Sequence, residues 1–146
     1  IPSLPVPANP MLIPSTFDEY LYGLASWEVE LFPELSMEVD CYEFISLINT
    51  QILHDSEFHL ITVSDGLDDS GSKTFGWVIA LPNGRRLARC LGLAFGPFGS
   101  SSWAKGYGVL SVSRFLFHIQ DFCAYTNKWV IKTMTDNQGL LTRVMN

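Results

Sequence analysis

The chain has 146 residues, with 9 basic and 15 acidic side chains and a formal net charge of −6. An apolar fraction of 47% with 13% aromatics supplies a packed core and excludes intrinsic disorder. No apolar run approaches the roughly 18 residues that span a bilayer, and no Lys or Arg precedes Lys73, as the positive start of a secretory signal requires.

Residues 1–15 hold five prolines (Pro2, Pro5, Pro7, Pro10, Pro14). Proline fixes φ and removes a donor, so this stretch reads as an extended linker. The start at Ile1 rather than Met suggests a piece excised from a longer polypeptide. Thr16-x-x-Glu19 has the form of a capping box, and Phe17, Tyr20, Leu21, Leu24, Trp27 and Leu31 follow at helical spacing until Pro33. Asp40-x-x-Glu43 opens a second helix, with Phe44, Ile45, Leu47, Ile48 and Ile52 along one side. Residues 16–56 thus read as an acidic helical connecting segment.

The period then changes to two. Phe58–Ser64 predicts a strand, Asp65–Gly71 a turn and Thr74–Leu81 a second strand. Pro82-Asn83-Gly84 is another tight turn before a third strand over Arg86–Phe95. After a loop at 96–101, Val109, Leu110, Phe115, Leu116, Ile119 and Phe122 predict a long, largely buried helix over about 102–124, capped by Ser102. Lys128–Thr135 predicts a fourth strand, and Asp136 caps a last helix from about Asn137. The βββαβα order over 57–146 predicts an α/β domain with a mixed sheet. Its fourth strand must run parallel to one of the first three, because a helix crosses between them.

Charge is unevenly placed. Residues 1–72 hold thirteen acids and no base, whereas 73–146 hold all nine bases against Asp121 and Asp136. Either the basic half meets phosphates while the acidic half faces elsewhere, or the two halves attract each other within one fold. A third reading has the acidic segment serving a neighbouring domain. Three cysteines (Cys41, Cys90, Cys123) cannot all pair, and they read as reduced, mostly buried thiols of an intracellular protein. His54 and His59 flank Asp55 and Glu57 at no established metal spacing, which suits a solvated turn before a strand. No phosphate-cradling glycine loop and no nucleophile elbow occurs.

Two carboxylates stand where a metal site is expected. Asp65 closes the first predicted strand and Asp136 the fourth. If those strands are a parallel pair, both emerge at one sheet edge, where open α/β sheets place their ligands. Two hard oxygen ligands there would suit Mg²⁺ or Mn²⁺, and two such ions can activate water against a phosphodiester.

The βββαβα order, Val63-Ser64-Asp65-Gly66 and Thr135-Asp136-Asn137-Gln138 resemble ribonuclease H. The phrases Thr74-Phe75-Gly76-Trp77-Val78, Ala104-Lys105-Gly106-Tyr107-Gly108 and Asp136-Asn137-Gln138-Gly139 are closer still to the ribonuclease H-like domain of retroelement reverse-transcriptase polyproteins. Trp27-Glu28-x-Glu30-Leu31-Phe32 resembles the connecting segment before such domains, so the likeness runs from about Trp27 to Val144. It implies metal-dependent hydrolysis of the RNA strand of an RNA–DNA hybrid, beside a neighbouring reverse transcriptase domain. By the same resemblance Asp65 bridges both metals, and Asp136 binds the ion that positions the attacking water.

Where that family places a glutamate in the long helix, this chain has Lys105. A protonated ammonium has no lone pair for a metal and repels a second cation. With Ser102 as cap, Lys105 falls at the third helical position, where it meets the positive end of the helix unfavourably, by about 0.3–1 kcal/mol. It either faces solvent or neutralises Asp65 and Asp136 directly. The family also has one more acidic residue, a fifth strand and a closing helix beyond the point where this chain stops. These departures point to an inactive descendant; the competing expectation is a non-catalytic nucleic-acid-binding or structural connecting module.

Trp103, Tyr107 and Arg114 lie on or near the basic helix, where they can stack on or pair with a nucleic-acid strand. Arg85, Arg86 and Arg89 can reach phosphates, or simply keep an edge strand soluble. Trp27, Trp77 and Trp129 read as core. Asp68 and Asp69 read as turn formers before replacement ligands.

Overall fold

The computed structural model describes residues 15–69, 72–94 and 101–135. The proline-rich start, the loop at 95–100, Asp136 and the helix expected from Asn137 lie outside the described residues.

Among the described residues three helices, not the expected two, precede the long strands of the sheet. The Thr16 hydroxyl accepts from the Glu19 amide at 3.1 Å and starts α1, Phe17–Tyr22. The run expected to continue to Leu31 breaks at Gly23, which caps α1, and resumes as α2, Ser26–Val29. Glycine is a poor helix residue, and the break re-aims the second segment. It also leaves Trp27 53% exposed, contrary to its expected place in the core. The Asp40 carboxylate accepts from the Glu43 amide at 2.8 Å and opens α3, Cys41–Leu53, as expected.

Between these helices Ser36–Met37 forms a two-residue strand, β1, too short to leave a periodic trace in the sequence. The remaining strands are β2 (Leu60–Asp69), β3 (Ser72–Ala80), β4 (Arg86–Leu93) and β5 (Ile131–Thr135). Sheet order is β1-β4-β3-β2-β5, with β2, β3 and β4 an antiparallel meander and β5 parallel to β2. The chain is therefore α/β with a mixed sheet. The crossover between β4 and β5 contains α4, Ser101–Phe122.

Two further expectations are corrected. Asp65–Asp69 is not a turn: β2 runs through it, pairing residue for residue with Ser72–Gly76. Cross-strand pairing overrides local turn propensity here. Along α4 the buried positions are Ala104, Gly108, Ser111, Val112, Phe115, Leu116, His118 and Ile119, while Val109 and Leu110 stay exposed.

One sheet face carries Leu60, Phe75, Trp77, Ile79 and Cys90, and these join one apolar cluster with Phe115 and Ile119 of α4. Phe17, Leu31, Phe32, Phe44 and Ile48 belong to the same cluster, so the acidic helices pack on this sheet. All three cysteines are free thiols; Cys41 and Cys90 are buried, and burial pushes the Cys90 thiol up to about 12.

Candidate functional site

Ser64-Asp65-Gly66, Phe75-Gly76-Trp77 and Ala104–Gly108 are far apart in sequence and meet at one place. Ser64 pairs with Trp77 and Asp65 with Gly76 across β2 and β3. On the other side of β2 the parallel ladder with β5 closes at Ser64–Thr135. The two residues that precede Asp65 and Asp136 are thus direct neighbours; Asp136 itself lies outside the described residues. Asp65 does not end its strand, as expected, but it stands one residue past the end of the parallel ladder.

Two glycines let α4 sit down on this spot. A Cβ on residue 66 would overlap the Lys105 backbone nitrogen and the Ala104 carbonyl carbon, so only glycine fits. A Cβ on Gly108 would stand 3.4 Å from the Asp65 carbonyl oxygen and 3.5 Å from the Phe75 Cβ. One turn further on, the Trp77 indole N–H donates to the Ser111 hydroxyl at 2.7 Å, and that hydroxyl donates to the Leu31 carbonyl at 2.6 Å. The helix is thereby held in one register against β2, β3 and the segment after α2.

The Asp65 carboxylate accepts from the Gly66 amide at 2.8 Å and is partly buried. Successive side chains alternate across a strand, so Asp65 projects from the face opposite Gly66 and α4. The helix begins at Ser101, which makes Ser102 its second residue rather than its cap and Lys105 its fifth. Lys105 is half-buried.

Among the described residues no group of three or more His, Cys, Asp or Glu side chains converges to hold a metal. At this rim Asp65 supplies a carboxylate, while the facing helix supplies Lys105, whose ammonium binds no metal. Asp68 and Asp69 stand in β2 opposite Lys73 and Ser72 rather than in a turn.

No family model, curated protein or solved structure matches this chain.

The residues assigned to nucleic acid scatter. Arg85 and Arg86 flank the start of β4, where Arg86 pairs with Ala80, four residues along β3 from Gly76 and so about 13 Å from Asp65's neighbour. Arg85 lies 3.7 Å from Glu43 and Arg86 3.8 Å from Glu38. Arg114 lies nine residues down α4 from Lys105, about 14 Å away. Its guanidinium grips the Glu28 carboxylate with two bonds of 3.1 Å and lies 4.7 Å over the Phe117 ring. Three of the predicted phosphate contacts thus pair with acids of the first half. Trp103 and Tyr107 line a small apolar hollow of about 240 Å³ with Gly106 and Leu110, and Tyr107 also stacks on Phe75 at 5.1 Å.

A polar cluster escaped the sequence reading altogether. Glu28 and His118 are both buried and hydrogen-bonded to each other; Tyr20 bonds to His118 and to Asp121. Its one signal is the spacing of Arg114, His118 and Asp121, four and three residues apart on a helix, which puts all three on one face.

Proposed function

We propose that this chain is a ribonuclease H-like module of a retroelement polyprotein in which the two-ion hydrolytic centre is lost. What remains is a non-catalytic connecting module beside a reverse transcriptase domain. The observation that carries this reading is the seat of α4 on β2. The helix backbone at Lys105 rests on Gly66, one residue from Asp65 and beside the end of the β2–β5 ladder. An ammonium in place of a carboxylate on that helix holds no ion, activates no water and stabilises no leaving oxygen. Lys105 stands where the resemblance expects the helix carboxylate and offers no lone pair to a metal.

The ion pairs of Arg85, Arg86 and Arg114 with Glu43, Glu38 and Glu28 favour a structural role over nucleic-acid binding. They join the basic half of the chain to the acidic half.

The test is cleavage of an RNA–DNA hybrid with Mg²⁺ or Mn²⁺, comparing the native chain, Lys105→Glu and Asp65→Asn. The native chain is expected to be silent. Cleavage by the native chain that disappears in Asp65→Asn overturns the proposal. Hybrid binding that weakens steeply with salt would instead favour the nucleic-acid-binding form of the module.

A further inference from the structure

Tyr20, Glu28, Arg114, His118 and Asp121 form a junction between α1, α2 and α4 that the proposed function does not use; Glu28 and His118 are buried in it and Asp121 is exposed. Their hydrogen bonds determine who carries which proton. Tyr20 has one hydroxyl hydrogen, and it goes to the Asp121 carboxylate at 2.7 Å. The Tyr20 oxygen is then an acceptor for His118 Nδ1, which lies 2.8 Å away. Glu28 already accepts two bonds from the Arg114 guanidinium, so it is ionised and can only accept. His118 Nε2, bonded to Glu28 Oε2, must therefore bring a hydrogen as well. Both ring nitrogens donate, a state that only the imidazolium reaches. Two carboxylates then balance one guanidinium and one imidazolium, which lets Glu28 and His118 stay buried.

We propose that His118 is a proton-gated latch that fastens the acidic helices α1 and α2 onto α4. With its proton on, the ring gives one hydrogen bond to each of the two helices. With the proton off, one nitrogen becomes an acceptor facing Tyr20 or Glu28, and the buried Glu28 carboxylate keeps Arg114 but loses its second counter-charge. The groups that face the ring are Tyr20 from α1, Glu28 from α2, and Arg114 and Asp121 from α4. The Phe32 and Phe117 rings complete its surroundings and carry no charge. Raising the pH therefore opens the latch from the His118 side. Lowering it far enough to protonate Glu28 opens it from the other, so the helices dock within a bounded pH window.

The experiment is nitrogen NMR of the His118 ring in the full chain, alongside amide exchange of Tyr20, Val29 and Glu30, whose N–H groups bond within the two helices. With the helices docked, both ring nitrogens are expected to carry hydrogen. As the ring loses its proton at higher pH, protection of these amides should fall about tenfold, the loss of a hydrogen bond to a charged group. In His118→Gln that fall should vanish. Tyr20→Phe keeps the buried ring and removes only the Nδ1 partner, so it should shrink the fall even if His118→Gln folds poorly. A neutral ring with both helices still protected would overturn the proposal. So would protection that ignores the ring's titration, or a fall of undiminished size in Tyr20→Phe.

Discussion

The backbone nitrogen of Lys105 lies where a Cβ on residue 66 would have to be, so Gly66 and α4 fix each other's position. Gly66→Ala must push the helix off β2 or bend the strand. Overpacking of backbone against backbone should lower stability by about 3 kcal/mol, read as a shift in denaturant midpoint. Gly106 sits on the same helix with open space around its would-be Cβ. Gly106→Ala should stabilise by about 0.5–1 kcal/mol, because alanine is the better helix former.

Glu28 binds α2 to α4 through Arg114 and His118. Burial raises its carboxyl, but the hydrogen bonds and charges of Arg114 and His118 outweigh that and hold it below the ordinary value of 4.5. A carboxyl depressed in the folded state contributes stability that is fully present above 4.5 and is lost as pH falls through its folded value. Acid unfolding of Glu28→Gln should therefore begin from a lower plateau and show a shallower slope below that value. At neutral pH the same substitution leaves Arg114 and His118 short of an acceptor and should cost about 3 kcal/mol, measured by urea denaturation.

Ser111 has one hydroxyl serving two partners, the Trp77 indole and the Leu31 carbonyl, all buried. Ser111→Ala removes both bonds at once and should cost about 2 kcal/mol, since the buried Trp77 indole N–H is left unpaired and the Leu31 carbonyl keeps only the Cys90 thiol at 3.6 Å. Thermal unfolding of Ser111→Ala against Ser111→Thr checks this, because threonine keeps the hydroxyl.

The strands and α4 are legible in the sequence because their apolar residues repeat at two and at about 3.6 over long runs, as at Phe75, Trp77 and Ile79 or Val112, Phe115 and Ile119. That β5 runs parallel to an earlier strand follows from the helix that crosses before it, but the choice of β2 as partner does not. The route from Asp65 to Asp69 is less legible, since Asp and Gly favour turns locally and only pairing with β3 straightens them. Trp27 misleads for a related reason: helical spacing continues through it, but Gly23 breaks the helix and turns that ring outward. At the site, the juxtaposition of Asp65 with Lys105 rests on two phrases that each hold a glycine. The junction at His118 rests on long-range hydrogen bonds, between Tyr20 and Asp121 and between Glu28 and Arg114, that no local period encodes.

Those same bonds join residues 101 and 86 positions apart, so α1 and α2 gain their partners only after α4 has been made. On a ribosome, the first seventy residues emerge and wait for the helix that will bury Phe17, Leu31 and Phe44. The run of thirteen acids without a base repels itself and its copies during that interval. Its late-arriving counter-charges, Arg85, Arg86 and Arg114, then close the wait by binding Glu43, Glu38 and Glu28. The lopsided charge is thus balanced only once the second half of the chain has been made.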